Sequence, residues 1–416
     1  MTQATEKPTG WYHGWNVVAA CVLSVIMARG IPVNSFSLFV HDWSQELQVP
    51  ISTLQLMMAP LALTCAVIAP IIGGFADKYP ARWLYGAGLL GTSLLLLSAS
   101  VVQSFWQLAA IYALLLPFTL NLSANIVGNP LIARWFVKRR GLALGLAGFG
   151  LGLAGMVLPP LIGAIMPDLG WRAIWLGAGV VAAVVVAPVV VLAMRNRPAE
   201  RDGLEYVGAS DDVEGGPSHG QATGGALGLG AILKRRNFLV VLAATLPVLG
   251  VHGASAQNLA PIAASHGHSQ QIAGMLIASM SLAQVVSTLG MGLISDRFGN
   301  RIALAGLGAA AAAGAVILGA SGSIWIMGAG ATLIGASSGI WTSVAAALAR
   351  EFGTSFGKAF GAIIIFTPLV AAMPFAIARV FETVGSHAPG LLAIAAIALA
   401  GAATGLLLRE PASSAS

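Results

Sequence analysis

The chain contains 416 residues, of which 57% are hydrophobic and only 9% are charged. Soluble domains carry about 25% charged residues, so this composition excludes an ordinary water-soluble protein and indicates a membrane protein. The two cysteines lie inside apolar runs, so the sequence predicts neither a disulfide framework nor a metal site. The formal net charge is +6, and the placement of the bases, given below, accounts for it without a nucleic-acid partner.

Apolar runs long enough to cross a bilayer, about 20 residues each, follow one another along the chain. They lie near residues 15–40, 51–75, 83–102, 106–133, 141–166, 172–194, 238–264, 271–295, 302–320, 323–349, 358–381 and 388–408. Because lipid offers backbone groups no hydrogen-bond partner, each run is predicted to be a helix. The first run is too long for the core of a signal peptide and is predicted to be an uncleaved span.

A polar segment separates the sixth run from the seventh. We therefore predict an N-terminal six-helix bundle at 1–195, a cytoplasmic linker at 196–236 and a C-terminal six-helix bundle at 237–416. The acidic and glycine-rich part of the linker has the composition of a flexible connection. Its last residues, 232–236, fit either a short interfacial helix or a plain basic loop.

Two charged strings repeat about half the chain apart, each between apolar runs. They are GGFADKYPAR at 73–82 and GLISDRFGNR at 292–301, and in both an Asp lies four residues after the Gly and an Arg five residues after the Asp. A charged loop that recurs at the same place in two hydrophobic halves indicates a duplicated membrane protein. Many secondary transporters consist of such repeats and bind their substrate between them, near the bilayer midplane. The predicted fold class is therefore an all-α membrane protein with twelve transmembrane helices in two pseudo-symmetric six-helix bundles.

The basic residues are distributed very unequally between the two sides of the predicted spans. One side carries Lys7, Lys78, Arg82, Arg134, Lys138, Arg139, Arg140, Arg195, Arg197, Arg201, Lys234, Arg235, Arg236, Arg297, Arg301, Arg350, Lys358 and Arg409. Only Arg172 and Arg379 lie at helix ends on the other side. This asymmetry predicts cytoplasmic termini, and we expect a multi-pass protein of the inner membrane. The expected partners are the lipid bilayer and a small-molecule substrate, with no nucleic acid, and the protein is expected to be monomeric.

The paired strings and the six-plus-six layout resemble the major facilitator superfamily, whose signature lies after the second and eighth helices. The first copy has Pro80 where the family prefers Gly, and the second keeps Gly299. Further strings resemble the branch of monocarboxylate porters and oxalate/formate antiporters: GW at 14–15, RWF at 134–136, RRG at 139–141, PP at 159–160 and GWR at 170–172. The resemblance implies alternating access by rocking of the two halves. It also implies gating contacts by Asp77, Arg82, Asp296 and Arg301.

Where that branch has basic residues in its first, eighth and eleventh helices, this sequence has Asn34, Thr288 and Thr367. A carboxylate-binding residue is therefore not carried over by the resemblance. The three positions remain candidates for the substrate-binding lining because of where they lie.

Arg29 is the exceptional residue, because it lies near the middle of the first span. A charge at the bilayer centre costs about 2.5–3.5 kcal/mol on insertion scales, and no Asp or Glu occurs in the middle of any predicted span. Pro32 removes a helical hydrogen bond and frees the carbonyl group of Ala28. Two interpretations stay open: Arg29 donates to freed carbonyl groups and polar neighbours, or it binds an anionic substrate.

Polar side chains in the fourth and seventh spans are the next candidates. Asn121, Asn125 and Asn129 are spaced by four residues and share a helix face, where they either bond between helices or line a cavity. His252, Gln257 and Asn258 form the second cluster. His252 is either a packed hydrogen-bonding residue or the proton carrier of a coupled transporter, because its ordinary pKa lies near neutrality. The predicted lining is completed by Gln284, Thr288, Trp341 and Thr367.

The sequence as a whole predicts a secondary transporter of a small organic anion, in particular a carboxylate, coupled to protons or acting by exchange. An exporter of drugs or metabolites and a non-transporting membrane sensor are the alternatives. No enzyme is predicted and no cofactor, because the sequence contains no Gly-x-Ser-x-Gly elbow, no metal-ligand cluster and no phosphate-binding loop.

Overall fold

The computed structural model describes residues 12–123, 125–136, 139–196 and 228–408, and nearly all of them are helical. In the first half, α1 consists of Gly14–Arg29, a π-helical turn at Gly30–Asn34 and Phe36–Glu46, while α2 consists of Ile51–Leu56 and Met58–Lys78, and α3 of Ala81–Ser100. Helix α4 consists of Phe105–Ala110, a π-helical turn at Ile111–Leu115, Leu116–Leu122 and Asn125–Trp135. Helices α5 and α6 share the segment Arg140–Val181, which continues through a π-helical turn at Ala182–Val186 to Ala187–Ala193. In the second half they are α7 (Arg236–Ser265), α8 and α9 (which share Gln270–Ala320), α10 (Ile324–Ser337 and Ile340–Phe352), α11 (Phe356–Phe366, a 3-10 turn at Thr367–Leu369, and Met373–Val384) and α12 (Ala388–Gly405).

Two glycines divide the two longest helical segments. Gly170 (φ 71°, ψ 160°) separates α5 (140–169) from α6 (171–193), and Gly299 (φ 81°, ψ 158°) separates α8 (270–298) from α9 (300–320). Positive φ favours glycine, which has no Cβ to collide with the following carbonyl group. In the first repeated string the corresponding turn is made by extended backbone at Tyr79 and Pro80 instead. The two copies of the signature therefore turn the chain by different backbone conformations.

The described residues cross between two faces of the molecule twelve times. Eleven segments are long and apolar enough to span a membrane, and one of them, Gly141–Ala193, has 53 residues. Arg172 donates to the carbonyl oxygen of Ser100 at 2.7 Å, whereas Trp135 donates to that of Arg195 at 2.9 Å. Because α3 ends at residue 100 and α4 at residue 135, these contacts lie on opposite faces, and the long segment is two crossings. We call the face where α1 begins the terminal face and the other the opposite face.

The predicted spans agree closely with the helices. The largest difference is at the end of α1, which was expected near residue 40 and ends at Glu46. The reason is that Trp43 is fully buried while His41 is exposed, so the last turns are amphipathic and lack the uniform apolarity of a lipid-facing run. Residues 232–236, for which a short interfacial helix and a basic loop were both open, divide between a helix at Leu229–Leu233 and the start of α7 at Arg236, and Ile232 is buried in the protein core. Residues 197–227 of the predicted linker lie outside the described residues.

Buried aromatic side chains pack against one another in the part of the first half that lies near the opposite face. The ring of Trp43 lies 5.6 Å from those of Phe39 and Trp175 and 6.2 Å from that of Tyr112, and Phe36 packs against Trp43 at 5.5 Å. All five side chains are completely buried. Van der Waals packing of this kind drives helix association in lipid, where the hydrophobic effect between helices is absent.

An ion pair fastens the ends of α1, α3 and α6 together at the opposite face. Glu46 accepts hydrogen bonds from Nε of Arg172 at 2.9 Å and from the indole of Trp171 at 2.8 Å, while Arg172 also donates to the carbonyl oxygens of Ser100 and Val102 at 2.7 Å. Partial burial raises the pKa of Glu46, but these hydrogen bonds outweigh burial and the net effect lowers the pKa. The three helix ends are therefore expected to move as one body.

Candidate functional site

A cavity of about 730 Å³ lies between the two halves. Its walls come from α1 and α5 of the first half and from α8, α10 and α11 of the second half. The described lining consists of Arg29, Leu144, Gly145, Gly148, Phe149, Leu151, Gly152, Gln284, Val285, Thr288, Leu289, Ser338, Trp341, Phe360, Ile364 and Thr367. Its volume falls within the range of pockets that bind small organic molecules.

The two halves are joined by polar contacts at the opposite face. The backbone amide and hydroxyl of Ser52 on α2 donate to the carboxylate of Glu382 on α11 at 2.9 and 2.7 Å. The side-chain amide of Gln55 donates to the carbonyl oxygen of Gln257 on α7 at 2.6 Å. Both contacts cross from the first half to the second, so the cavity is closed toward the opposite face.

Glycines complete this closure between α5 and α8. A Cβ atom on Gly163 would collide with the carbonyl oxygen of Gln270, and one on Gly274 would collide with that of Pro159. Toward the terminal face of α5 the situation is reversed, because Gly141 and Gly145 have no atom within 4 Å of such a Cβ position. The halves therefore touch backbone to backbone at the opposite face and separate toward the terminal face, where the cavity opens.

Arg29 lies on the cavity wall at a distortion of α1. The π-helical turn Gly30–Asn34 follows it directly, and π-helical turns in α-helices are frequent at functional sites. Within this turn the hydroxyl of Ser35 donates to the carbonyl oxygen of Gly30 at 2.8 Å, and the hydroxyl of Tyr112 donates to that of Pro32 at 2.9 Å. Two carbonyl groups of this distorted segment thus accept hydrogen bonds from hydroxyl groups and not from the guanidinium group.

The guanidinium group of Arg29 forms no ion pair and donates no hydrogen bond among the described residues. The two ion pairs that the described part of the chain presents join Arg172 to Glu46 and Arg379 to Glu382, both at the opposite face. Among the described residues, no hydrogen bond therefore supports the first interpretation of Arg29, donation to freed carbonyl groups and polar neighbours.

Four other predicted residues line the cavity with Arg29: Gln284, Thr288, Trp341 and Thr367. The hydroxyls of Thr288 and Thr367 donate to carbonyl oxygens of their own helices, those of Gln284 and Ile364, at 2.8 and 2.7 Å. The side-chain amide of Gln284 has no hydrogen-bond partner among the described residues and remains available to a ligand. The second half thus provides hydrogen-bonding groups opposite the cation of the first half.

The amides of Asn34, Asn121 and Asn258 lie among packed helices and are not part of the described lining. Asn34 donates to the carbonyl oxygen of Leu151 at 3.3 Å, Asn121 to that of Pro117 at 2.8 Å, and Asn258 to those of Ala254 and Pro374 at 2.9 and 3.1 Å. Gln257 also lies outside the described lining, and its side-chain oxygen is buried without a hydrogen-bond partner among the described residues. The side chain of Asn125 lies outside the described residues, so its substrate-binding role stays a prediction.

His252 lies one side chain behind the cavity wall. Its Nδ1 atom is 2.8 Å from the hydroxyl oxygen of Ser338, which lines the cavity. The carbonyl oxygen of Ile334 is 3.5 Å from the same nitrogen. His252 is therefore connected to the cavity through a hydroxyl group that can both accept and donate a proton.

Sequence reasoning missed the phenylalanines of the cavity, Phe149 and Phe360. Nothing in the sequence separates them from phenylalanines that face lipid, because both kinds occur in apolar runs. The glycine run of α5 touches the partner helix only along its second part. Gly145 and Gly148 face open space, whereas Gly152 and Gly155 touch Val285 and Ser281 of α8. The halves diverge along α5, so one helix face meets both a partner helix and the cavity.

The predicted gating residues are only partly described. Arg82 lies over the ring of Trp83, with its guanidinium carbon 5.2 Å from the ring centroid, and Arg301 has an interaction partner. The side chains of Asp77 and Asp296 lie outside the described residues. The gating role of all four stays a prediction.

Comparison with known proteins gives a family match over most of the chain. The sequence model of the Major Facilitator Superfamily matches residues 18–256, and that of the Sugar (and other) transporter family matches residues 244–410. An MFS-type transporter of Gibberella moniliformis is 28% identical over 170 residues, which are 40% of this chain and 38% of the relative. The riboflavin transporter RibJ of Trypanosoma brucei brucei is 25% identical over 241 residues, 56% of this chain and 41% of the relative.

Monocarboxylate transporter 11 of Mus musculus is 26% identical over 299 residues, which are 70% of this chain and 62% of that protein. The alignments with the Gibberella moniliformis and Trypanosoma brucei brucei proteins span only about 40% of those proteins' own length. Crystal structures of a bacterial homologue of the human lysosomal transporter Spinster, inward-facing, match with TM-scores of 0.69 (unoccupied) and 0.70 (occupied). They are 15% and 17% identical and cover 95% and 97% of this chain, and 94% and 95% of theirs. At these identities the likeness establishes the fold alone.

Proposed function

Because the chain belongs to the Major Facilitator Superfamily, whose members are membrane transporters and not enzymes, we propose that it carries a small organic anion by alternating access. In this proposal Arg29 binds the anionic group of the cargo. The observation that carries it is the position of Arg29 on the wall of the cavity between the halves, without an acidic partner among the described residues.

The electrostatic argument concerns closure of the cavity. While the cavity is open to the terminal face, water can solvate the guanidinium group. When the halves close around it, that water is excluded, and an unpaired cation in a low-dielectric site is strongly unfavourable. No Asp or Glu occurs in the middle of any predicted span. A bound anion supplies the missing charge, so the occluded state becomes accessible when the cargo is present.

The orientation follows from the basic residues. They concentrate at the terminal face, so this face is cytoplasmic in our proposal. We propose the inner membrane as its location, and the conformation described here is then open to the cytoplasm. For coupling we propose either exchange of anions or proton transport, with His252 as the proton carrier. Asp77, Arg82, Asp296 and Arg301 stabilise one conformation at the terminal face.

Transport by Arg29 variants tests this function. A thermal-shift screen of the purified protein against sodium salts of organic acids first identifies an anion that binds, and uptake of that anion into proteoliposomes is then measured. We expect Arg29→Gln to lower uptake at least about tenfold, because the variant loses a charge-assisted contact in a desolvated site. Arg29→Lys should keep part of the activity, because it keeps the charge and loses only the planar fork.

The control is Arg235→Gln, which removes a basic residue at the terminal face, before α7, and should transport normally. All variants should reach the liposomes in equal amounts. Wild-type uptake by Arg29→Gln would disprove the anion-binding role. Tight binding of the anion without flux in the wild type would instead indicate the membrane sensor.

A further inference from the structure

We propose, building on the function above, that the cargo is a monoanion with a planar ring that lies between Phe149 of the first half and the Trp341–Phe360 pair of the second half. Three features of the cavity carry this inference: its single charge, its aromatic walls and its open glycine surface.

The single charged side chain of the described cavity lining indicates the charge of the cargo. Arg29 is the one charged side chain among the described residues that line the cavity. The other polar groups of the lining, among them Gln284 and Ser338, are neutral. A dianion would therefore bring a second charge into the closing cavity without a counter-charge, which is strongly unfavourable. A monoanion leaves the site electrically balanced.

The side chains of the cavity walls indicate what the uncharged part of the cargo is like. Large apolar side chains from both halves face the cavity, including Leu144 and Phe149 from α5 and Leu289, Trp341 and Phe360 from the second half. A cavity of about 730 Å³ lies in the range that holds drug-sized molecules, so a two-carbon acid would leave most of this apolar surface in contact with water. A large apolar body would remove it from water.

The aromatic side chains point to a ring. The rings of Trp341 and Phe360 are 5.6 Å apart and inclined by 52°, and both side chains are only partly buried. Phe149 comes from the other half, is also partly buried, and has no ring partner among the described residues. Aromatic rings attract one another in offset or edge-to-face geometry at such spacings. A ring of the cargo would provide the missing partner.

Glycines of α5 leave room for that ring. Gly145 lies one helical turn before Phe149 and on the same face, and Gly148 is the residue before it. A Cβ atom at either glycine would meet nothing within 4 Å, so the wall beside Phe149 is flat and empty. A ring placed there touches both halves, and closing the halves around it improves the contact. Binding of the ring would thus favour the occluded state, as binding of the anionic group to Arg29 does.

Binding of a matched series to the full-length protein in detergent, measured by titration calorimetry, tests the inference. The probes are acetate, phenylacetate, phenylmalonate and the neutral phenylacetamide. We expect phenylacetate to bind most tightly, at least about tenfold better than each of the others. Phe149→Leu and Trp341→Leu keep apolar volume but remove a ring. Each should weaken phenylacetate about three- to tenfold and leave acetate unchanged. Trp106→Leu changes an exposed tryptophan at the opposite face and is the control.

The outcomes separate this inference from the function on which it rests. Equal binding of acetate or phenylmalonate, no binding by any member of the series, or normal phenylacetate affinity in both ring variants would overturn the ring-bearing monoanion. If phenylacetamide binds as well as phenylacetate, and Arg29→Gln leaves both unchanged, the anion-binding function fails even where the ring dependence holds. Loss of phenylacetate binding in Arg29→Gln, with ring dependence in the other variants, supports both.

Discussion

At the scale of single residues, His252 is the side chain through which proton coupling is tested most directly. It contacts Ser338 at 2.8 Å, and Ser338 lines the cavity. Histidine exchanges its proton near neutral pH more readily than any other unperturbed side chain. We expect His252→Gln to abolish the acceleration of uptake by an imposed pH gradient, while exchange of cargo without a gradient persists. Uptake and exchange in the same proteoliposomes are the measurement.

The matched control for His252 is His266→Gln. His266 lies at the end of α7 on the opposite face, where its Nδ1 atom is 2.9 Å from the carbonyl oxygen of Ile262, and it is not part of the described lining. Its variant should respond to the gradient as the wild type does. An unchanged gradient response in His252→Gln would exclude His252 as the proton carrier.

Residue patterns predicted the unusual side chain better than the ordinary ones. Arg29 was identifiable because a charge in an apolar run is energetically exceptional. The amides of Asn34 and Asn121 were not separable from cavity residues, because an amide that bonds to a neighbouring helix and one that faces a cavity occur in the same apolar context. Which of the two applies depends on the rotation of each helix against its neighbours. Neighbours that are distant in the sequence determine this rotation.

At the scale of elements, the contact between α5 and α8 depends on the absence of side chains. Val at position 163 would place its Cβ against the carbonyl oxygen of Gln270 and about 3.0 Å from Cα of Gln271. These are backbone atoms of the other half, and they cannot rotate away as a side chain can. We expect Gly163→Val to force the halves apart at the opposite face. Spin labels at positions 103 and 386, which are exposed there in different halves, should report a longer mean distance.

A control must separate this effect from the intrinsic cost of changing a helical glycine. Gly177 lies on α6, and a Cβ atom there would meet nothing within 4 Å. Gly177→Val should leave the distance between the labels unchanged. An unaltered distance in Gly163→Val would show that the contact can relax locally and does not hold the halves together.

The sequence predicted where elements begin and end more reliably than how they are distorted. Apolar runs located all the crossings, because the thickness of the bilayer fixes their length. Pro32 announced a disturbance of α1, but its form as a π-helical turn depends on Ser35 and on Tyr112 of another helix. The equivalence of the two charged strings also suggested equal turns. Pro80 and Gly299 show that one motif can turn the chain in two ways.

At the scale of the whole molecule, duplication made the two halves predictable, but it did not show which end of the cavity is closed. Polar residues occur at the helix ends on both faces, and each can serve as a contact between halves or as a solvated surface. The closed end is determined by pairs such as Ser52 and Glu382, which are separated by 330 residues in the chain. A single sequence contains no signal that two residues so far apart are in contact, whereas the structure shows the hydrogen bonds between Ser52 and Glu382 directly.

The contact between Ser52 and Glu382 is therefore expected to stabilise the conformation that is open to the terminal face. Hydrogen bonds to charged groups contribute about 1.5–3 kcal/mol, so Ser52→Ala and Glu382→Gln should each shift the label distance between positions 103 and 386 toward longer values. Because both variants remove parts of one contact, the double variant should shift it little further than the stronger single one. Glu351→Gln is the control, since Glu351 accepts a hydrogen bond from Asn237 within the second half at 2.8 Å. Additive shifts, or none, would show that this pair does not hold the halves together.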